Sequence, residues 1–123
     1  MLSIYDVTNE LLANREGYSV NVHGVLPTYG YMVGGVVPSL ILEPKAAKYG
    51  PTDAWLDEHW AKLESSPDVF AGIWEDSVTG LVYVDLSERY DDLYTALAVA
   101  TARGELAIWD VASSKEVRTE IGA

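Results

Sequence analysis

The chain contains no cysteine. A disulfide framework, a thiolate nucleophile and a zinc–thiolate site are thereby excluded, and a reducing cytoplasm is the expected location. Basic residues are scarce. Eight Lys and Arg face nineteen Asp and Glu in 123 residues, for a formal net charge of −11. Like charge repels DNA, RNA and anionic membranes, so direct binding to nucleic acid or to a membrane is not expected, whereas a basic protein surface is attracted. Long apolar runs are missing too. The longest, Val36 to Leu42, is broken by Pro38 and Ser39, far short of the ~20 residues a transmembrane helix needs. The opening MLSIYDVTNELL has no basic segment and carries Asp6 and Glu10 early, unlike a secretory signal.

What is present suffices for one core. Apolar residues make up 49% of the chain, which separates it from disordered acidic tails, and the length fits a single domain, residues 1–123. The aromatics are four Trp and eight Tyr against one Phe. Trp and Tyr carry a polar handle that suits half-buried positions and interfaces.

Local patterns predict the elements. Thr8 is placed to cap a helix over Asn9 to Arg15, ended by Gly17. Tyr18 to His23 alternates large and polar residues as a half-buried strand does, and Gly30 to Gly34 reads as a second strand. Pro38 makes Val36 to Leu42 an edge strand or extended loop, and Glu43 to Gly50 reads as a linker. Thr52 is placed to cap a helix with Leu56, His59, Trp60 and Leu63 as its stripe, ending near Ser65 ahead of Pro67. Val69 to Glu75, a turn ending in Gly80, and Leu81 to Leu86 form the clearest signal, a β-hairpin. Asp91 or Asp92 opens a helix with Leu93, Leu97 and Ala100 buried against the hairpin, closed by Gly104. Leu106 to Val111 is a strand, and Val117 to Ile121 pairs back on it after a turn at Ala112 to Lys115. The expected class is α+β: a mainly antiparallel sheet with two or three helices packed on it.

Catalytic motifs are absent. Gly30, Gly34 and Gly35 match no phosphate-binding fingerprint. His23 and His59 are the only histidines. With Asp57, Glu58 or Asp85 they could compose a two-His, one-carboxylate site, but their spacing does not support one, and no metal or cofactor is expected. The carboxylate pairs Glu75–Asp76, Asp91–Asp92 and Asp57–Glu58 sit where turns and helix starts account for them. One acidic placement is harder to dismiss. Asp53, Asp57 and Glu64 fall near one face of the second helix with Glu58 beside them. Asp53 and Asp57 repel at i, i+4, while Glu58 and Lys62 form a favourable i, i+4 pair. Glu88, Asp91 and Asp92 could add a second patch. Carboxylates one helical turn apart can imitate a row of phosphates for a basic surface.

The pattern Gly72-Ile73-Trp74, then Thr79-Gly80-Leu81-Val82-Tyr83-Val84-Asp85, a helix, and Gly104-Glu105-Leu106-Ala107-Ile108-Trp109-Asp110 resembles small uncharacterised acidic proteins of actinobacteria and their phages. Gly17-Tyr18-Ser19-Val20 and Gly30-Tyr31-Met32-Val33 are similar to their opening. The likeness spans roughly two thirds of the chain and rests on turn glycines and strand aromatics. It implies a phage or mobile-element accessory protein, and no functional residues carry over from it.

The functional expectation is therefore a non-enzymatic acidic interaction protein that binds a basic host protein, for example one that itself binds nucleic acid. Asp53, Asp57, Glu58 and Glu64 would steer association and Trp55 and Tyr49 would anchor it. The second reading is a structural component that self-associates through the edges at Val36 to Leu42 or Val117 to Ile121. A third is an enzyme that uses a carboxylate with His23 or His59.

Overall fold

The computed structural model describes residues 1–122. Three helices and seven strands follow one another as α1 (Ile4–Ala13), β1 (Gly17–Val20), β2 (Tyr31–Val33), β3 (Leu40–Leu42), α2 (Tyr49–Glu64), β4 (Val69–Glu75), β5 (Val82–Tyr90), α3 (Leu93–Ala102), β6 (Ala107–Asp110) and β7 (Lys115–Arg118). All the pairings are antiparallel, in the order β1-β4-β5-β2-β6-β7. The long strand β5 is shared on one edge. β3 takes its first three residues, Val82 to Val84, and β2 takes its last three, Glu88 to Tyr90. The α+β class read from the sequence is the class observed.

Local chemistry sets the element ends. Ser3 and Asp6 form a reciprocal capping box at the start of α1. Asp92 caps α3 by accepting the Thr95 amide at 2.8 Å. In the β4–β5 turn the Asp76 carboxylate accepts the amides of Val78 and Thr79, and Gly80 supplies the positive φ of 75° that closes it.

Several boundaries move from where the sequence places them. Neither Thr8 nor Thr52 is a cap. Both are buried inside their helices, with hydroxyls donating to the carbonyls of Ile4 and Lys48 four residues back. α1 therefore begins at Ile4, and α2 begins at Tyr49 within the expected linker. β1 ends at Val20 because Asn21 turns the chain, its side-chain oxygen accepting the amides of His23 and Val25. β7 lies at Lys115–Arg118, ahead of the expected Val117 to Ile121, because the turn after β6 is tight enough to pair Asp110 with Lys115.

Alternation along the strands divides the sheet into two faces. Val69, Ala71 and Ile73 of β4 and Val82, Val84 and Leu86 of β5 pack with Val7 and Leu11 of α1 and Leu56 and Leu63 of α2. On the same face, further along β5, Val33 and Ile108 meet Ala96 and Ala100 of α3. α3 thus covers β2 and β6 and presses alanines onto them, where Leu93 and Leu97 against the hairpin were expected; those leucines are only partly buried. All three helices cover one face.

Candidate binding cleft on the helix-free sheet face

The other face has no helix over it. It presents Phe70, Gly72 and Trp74 from β4, and Tyr83, Asp85, Ser87 and Arg89 from β5. Ser19 pairs in register with Gly72, and Met32 with Arg89 and Trp109. Leu26 and Pro27, from the loop after β1, close one side. The result is an open cleft of about 890 Å³. Trp74 and Trp109 line it while keeping 42% and 46% of their surface exposed, and no Lys or Arg lines it.

Asp85 sits on the floor beside Ser87. It stands opposite Gly72 in the ladder, and its carboxylate leans over that glycine. A Cβ at Gly72 would come within 2.8 Å of Asp85 Oδ1 and 3.3 Å of Ser19 Oγ. The missing side chain is what makes room for the acid. Burial first, and the negative charge of Glu105 second, push the Asp85 carboxyl up to about 6. No described residue donates a hydrogen bond to it. Because no fully buried side-chain oxygen in the described residues lacks a partner, its oxygens face the cleft.

The same face contains a cation already held by the fold. The Arg89 Nε and Nη2 both donate to Asp68 Oδ1, at 3.0 and 2.7 Å. Its guanidinium carbon lies 4.2 Å from the centre of the Tyr29 ring and 5.0 Å from that of Phe70. At the other end, Trp74 stacks on Tyr83 with ring centres 4.3 Å apart and an interplanar angle of 6°.

The residues singled out from sequence lie elsewhere. α2 packs against the opposite face, and there Asp57, Glu58 and Glu64 are exposed and Asp53 is half-buried. At 100° per residue Asp53, Asp57 and Glu64 share one flank, but Glu58 points roughly 100° away from Asp57. Lys62 reaches Glu88 of β5 at 3.8 Å rather than Glu58. Glu88 also pairs with Arg103, and Asp92 is a cap, so Glu88, Asp91 and Asp92 do not make a free second patch. Trp55 is only 8% exposed, packed in the core beside His59, and this rules it out as a surface anchor. Tyr49 is 39% exposed and tilts against Tyr5. Neither histidine lines the cleft. His23 is exposed on a loop and the His59 ring lies against Trp55.

By sequence Asp85 is no more than a conceivable partner of the histidines and part of a turn-and-strand pattern. Its alternation with Val82, Val84 and Leu86 marks it as facing away from the core. Nothing local says that this face curls into a cleft or that a glycine stands opposite. No protein-family model matches the chain, and searches of curated proteins and of solved structures return no match.

Proposed function

We propose that this chain is a non-enzymatic binding module for a basic protein, and that the partner seats on the helix-free sheet face. One observation carries the reading: a carboxylate with no donor among the described residues faces a cleft edged by two exposed tryptophans. Exposed aromatics beside an unsatisfied acid make a surface that a complementary cation completes. The rest of the charge supports approach. Five ion pairs among the described residues engage four of the nineteen carboxylates. That leaves fifteen without a cationic partner there, Asp53, Asp57, Glu58 and Glu64 among them, to steer association over a Debye length of about 10 Å. A nucleic-acid-binding protein in the cytoplasm presents the fitting basic surface. Placing the chain in a phage or mobile element rests on the sequence resemblance alone.

The test uses a synthetic peptide rich in Lys and Arg, and a control with Glu at those positions, titrated against the protein while tryptophan emission is followed. The basic peptide is expected to shift the emission and to bind about tenfold more weakly as salt rises from about 50 to about 300 mM. Asp53→Lys/Asp57→Lys is expected to slow association and leave the emission change intact. Equal binding of the Glu control, or binding that leaves the tryptophans unmoved, would overturn the proposal. Self-association is less favoured. β7 is a four-residue edge bearing Lys115, Glu116 and Arg118, and such charges blunt edge pairing. β3 has only three residues. Sedimentation that showed a concentration-dependent oligomer would revive it.

A further inference from the structure

We infer that the partner's anchor in the cleft is an arginine, its guanidinium bonded to the Asp85 carboxylate and laid against the Trp74 indole. This rests on the docking reading above and names the group that the site takes. The fold carries a template of the contact on the same sheet face. Arg89 is held there by one carboxylate and two aromatic rings. Asp85, Ser87 and Arg89 point the same way along β5, so the two acid-and-aromatic arrangements sit end to end. One is completed by the chain's own cation. In the other, the acid receives no hydrogen bond from the described residues.

Geometry favours a flat, forked cation. Trp74 follows Gly72 by two residues on β4, which makes it the diagonal neighbour of Asp85, with roughly 7–8 Å between the two positions. A guanidinium can bridge that span, donating two parallel N–H groups to the carboxylate while its plane covers the indole. Stacking on Tyr83 backs the Trp74 ring on one side and holds its orientation. Lysine would answer the charge but supplies neither the fork nor the plane. Glu116, also in the lining, and Glu105 beside Asp85 deepen the negative potential.

The test is calorimetric titration with a blocked pentapeptide carrying one central arginine between glycines, compared with lysine and with citrulline at that position. Citrulline keeps the shape and loses the charge. Arginine is expected to bind about tenfold more tightly than citrulline and severalfold more tightly than lysine. Asp85→Asn should bring arginine and citrulline within about twofold, and Trp74→Ala should narrow the gap between arginine and lysine. Thr101→Ala, exposed on α3 on the other side of the sheet, should change affinity by less than about twofold. Circular dichroism of each variant confirms the fold. Equal affinity for arginine and citrulline, or an Asp85→Asn protein that still tells them apart, would overturn the inference. Free arginine amide that binds as tightly as the peptide would overturn a protein source for the group. If the long basic peptide binds and shifts tryptophan emission while arginine and citrulline are not distinguished, the anchor fails and the docking surface stands. If the long peptide does not bind, both fail.

Discussion

Asp85→Asn is expected to make the protein more stable at neutral pH and nearly unchanged in acid. The Asp85 carboxyl is raised from 3.8 to about 6 by burial and by Glu105. The fold therefore holds the acid form more readily than the unfolded chain does, and ionisation works against folding. Well below pH 3.8 both states are protonated and no penalty exists. Between about 4 and 6 the unfolded chain gives up its proton first and native stability falls, and above about 6 the penalty is complete. At about 1.4 kcal/mol per pKa unit the full shift corresponds to at most about 3 kcal/mol. The carboxylate opens to the cleft, so solvent screening reduces this to about 1–2 kcal/mol. Asparagine keeps the shape and never ionises. Urea unfolding followed by tryptophan emission should show a gain of about 1–2 kcal/mol at about pH 7.5, with an unchanged denaturant slope, that shrinks to a small fraction by about pH 4. In thermal melts the neutral-pH gain is roughly 4–8 °C. No gain at neutral pH, or an equal gain at both, would refute the reasoning, since the carboxylate would then be as well solvated in the fold as out of it. The same variant should lose its preference for arginine, so the substitution that stabilises the scaffold disarms the site.

Gly72→Ala puts a methyl 2.8 Å from Asp85 Oδ1 and should cost about 1 kcal/mol in urea unfolding; in an Asp85→Gly background the same change should be neutral or stabilising, a coupling of about 1 kcal/mol. Phe70 is fully buried beneath Arg89, so Phe70→Ala should lower unfolding free energy by about 3–5 kcal/mol. Arg89→Lys keeps the charge and loses the double bond to Asp68 and the ring coverage, and should destabilise by about 1–2 kcal/mol. Amide hydrogen bonds hold the Asp6, Asp76 and Asp92 carboxyls below 3.8. Their contribution is present above that value and disappears as pH falls below it, opposite in sign to Asp85, and Asp92→Asn should visibly flatten the acid limb of a melting-temperature profile.

Local periodicity made much of the fold legible. The β4–β5 hairpin, the Asp92 cap, the Leu56–Leu63 stripe and the α+β class follow from alternation, 3.6-residue spacing and turn chemistry, all fixed by backbone geometry within a few residues. Trp55 shows where that stops. It lies on the border of the α2 stripe, and α1, packed alongside α2, brings Val7 and Leu11 into the same core cluster, so the buried arc of α2 is wider than its leucine spacing shows. Strand order is also non-local. Nothing in Tyr31 to Val33 announces that this segment runs between β5 and β6. That placement carries Met32 and Trp109 onto the face of Asp85, and so builds the cleft.

The sequence by itself determined the element types, the inward residues of the β4–β5 hairpin, the Leu56–Leu63 stripe and the excess of negative charge, because each is a property of neighbouring residues or of composition. Tertiary structure alone decided the strand order, and with it that the helix-free face gathers Trp74, Trp109 and Asp85 into one cleft. Those facts depend on which strands pair and in what register, and pairing energies act between residues far apart in the chain.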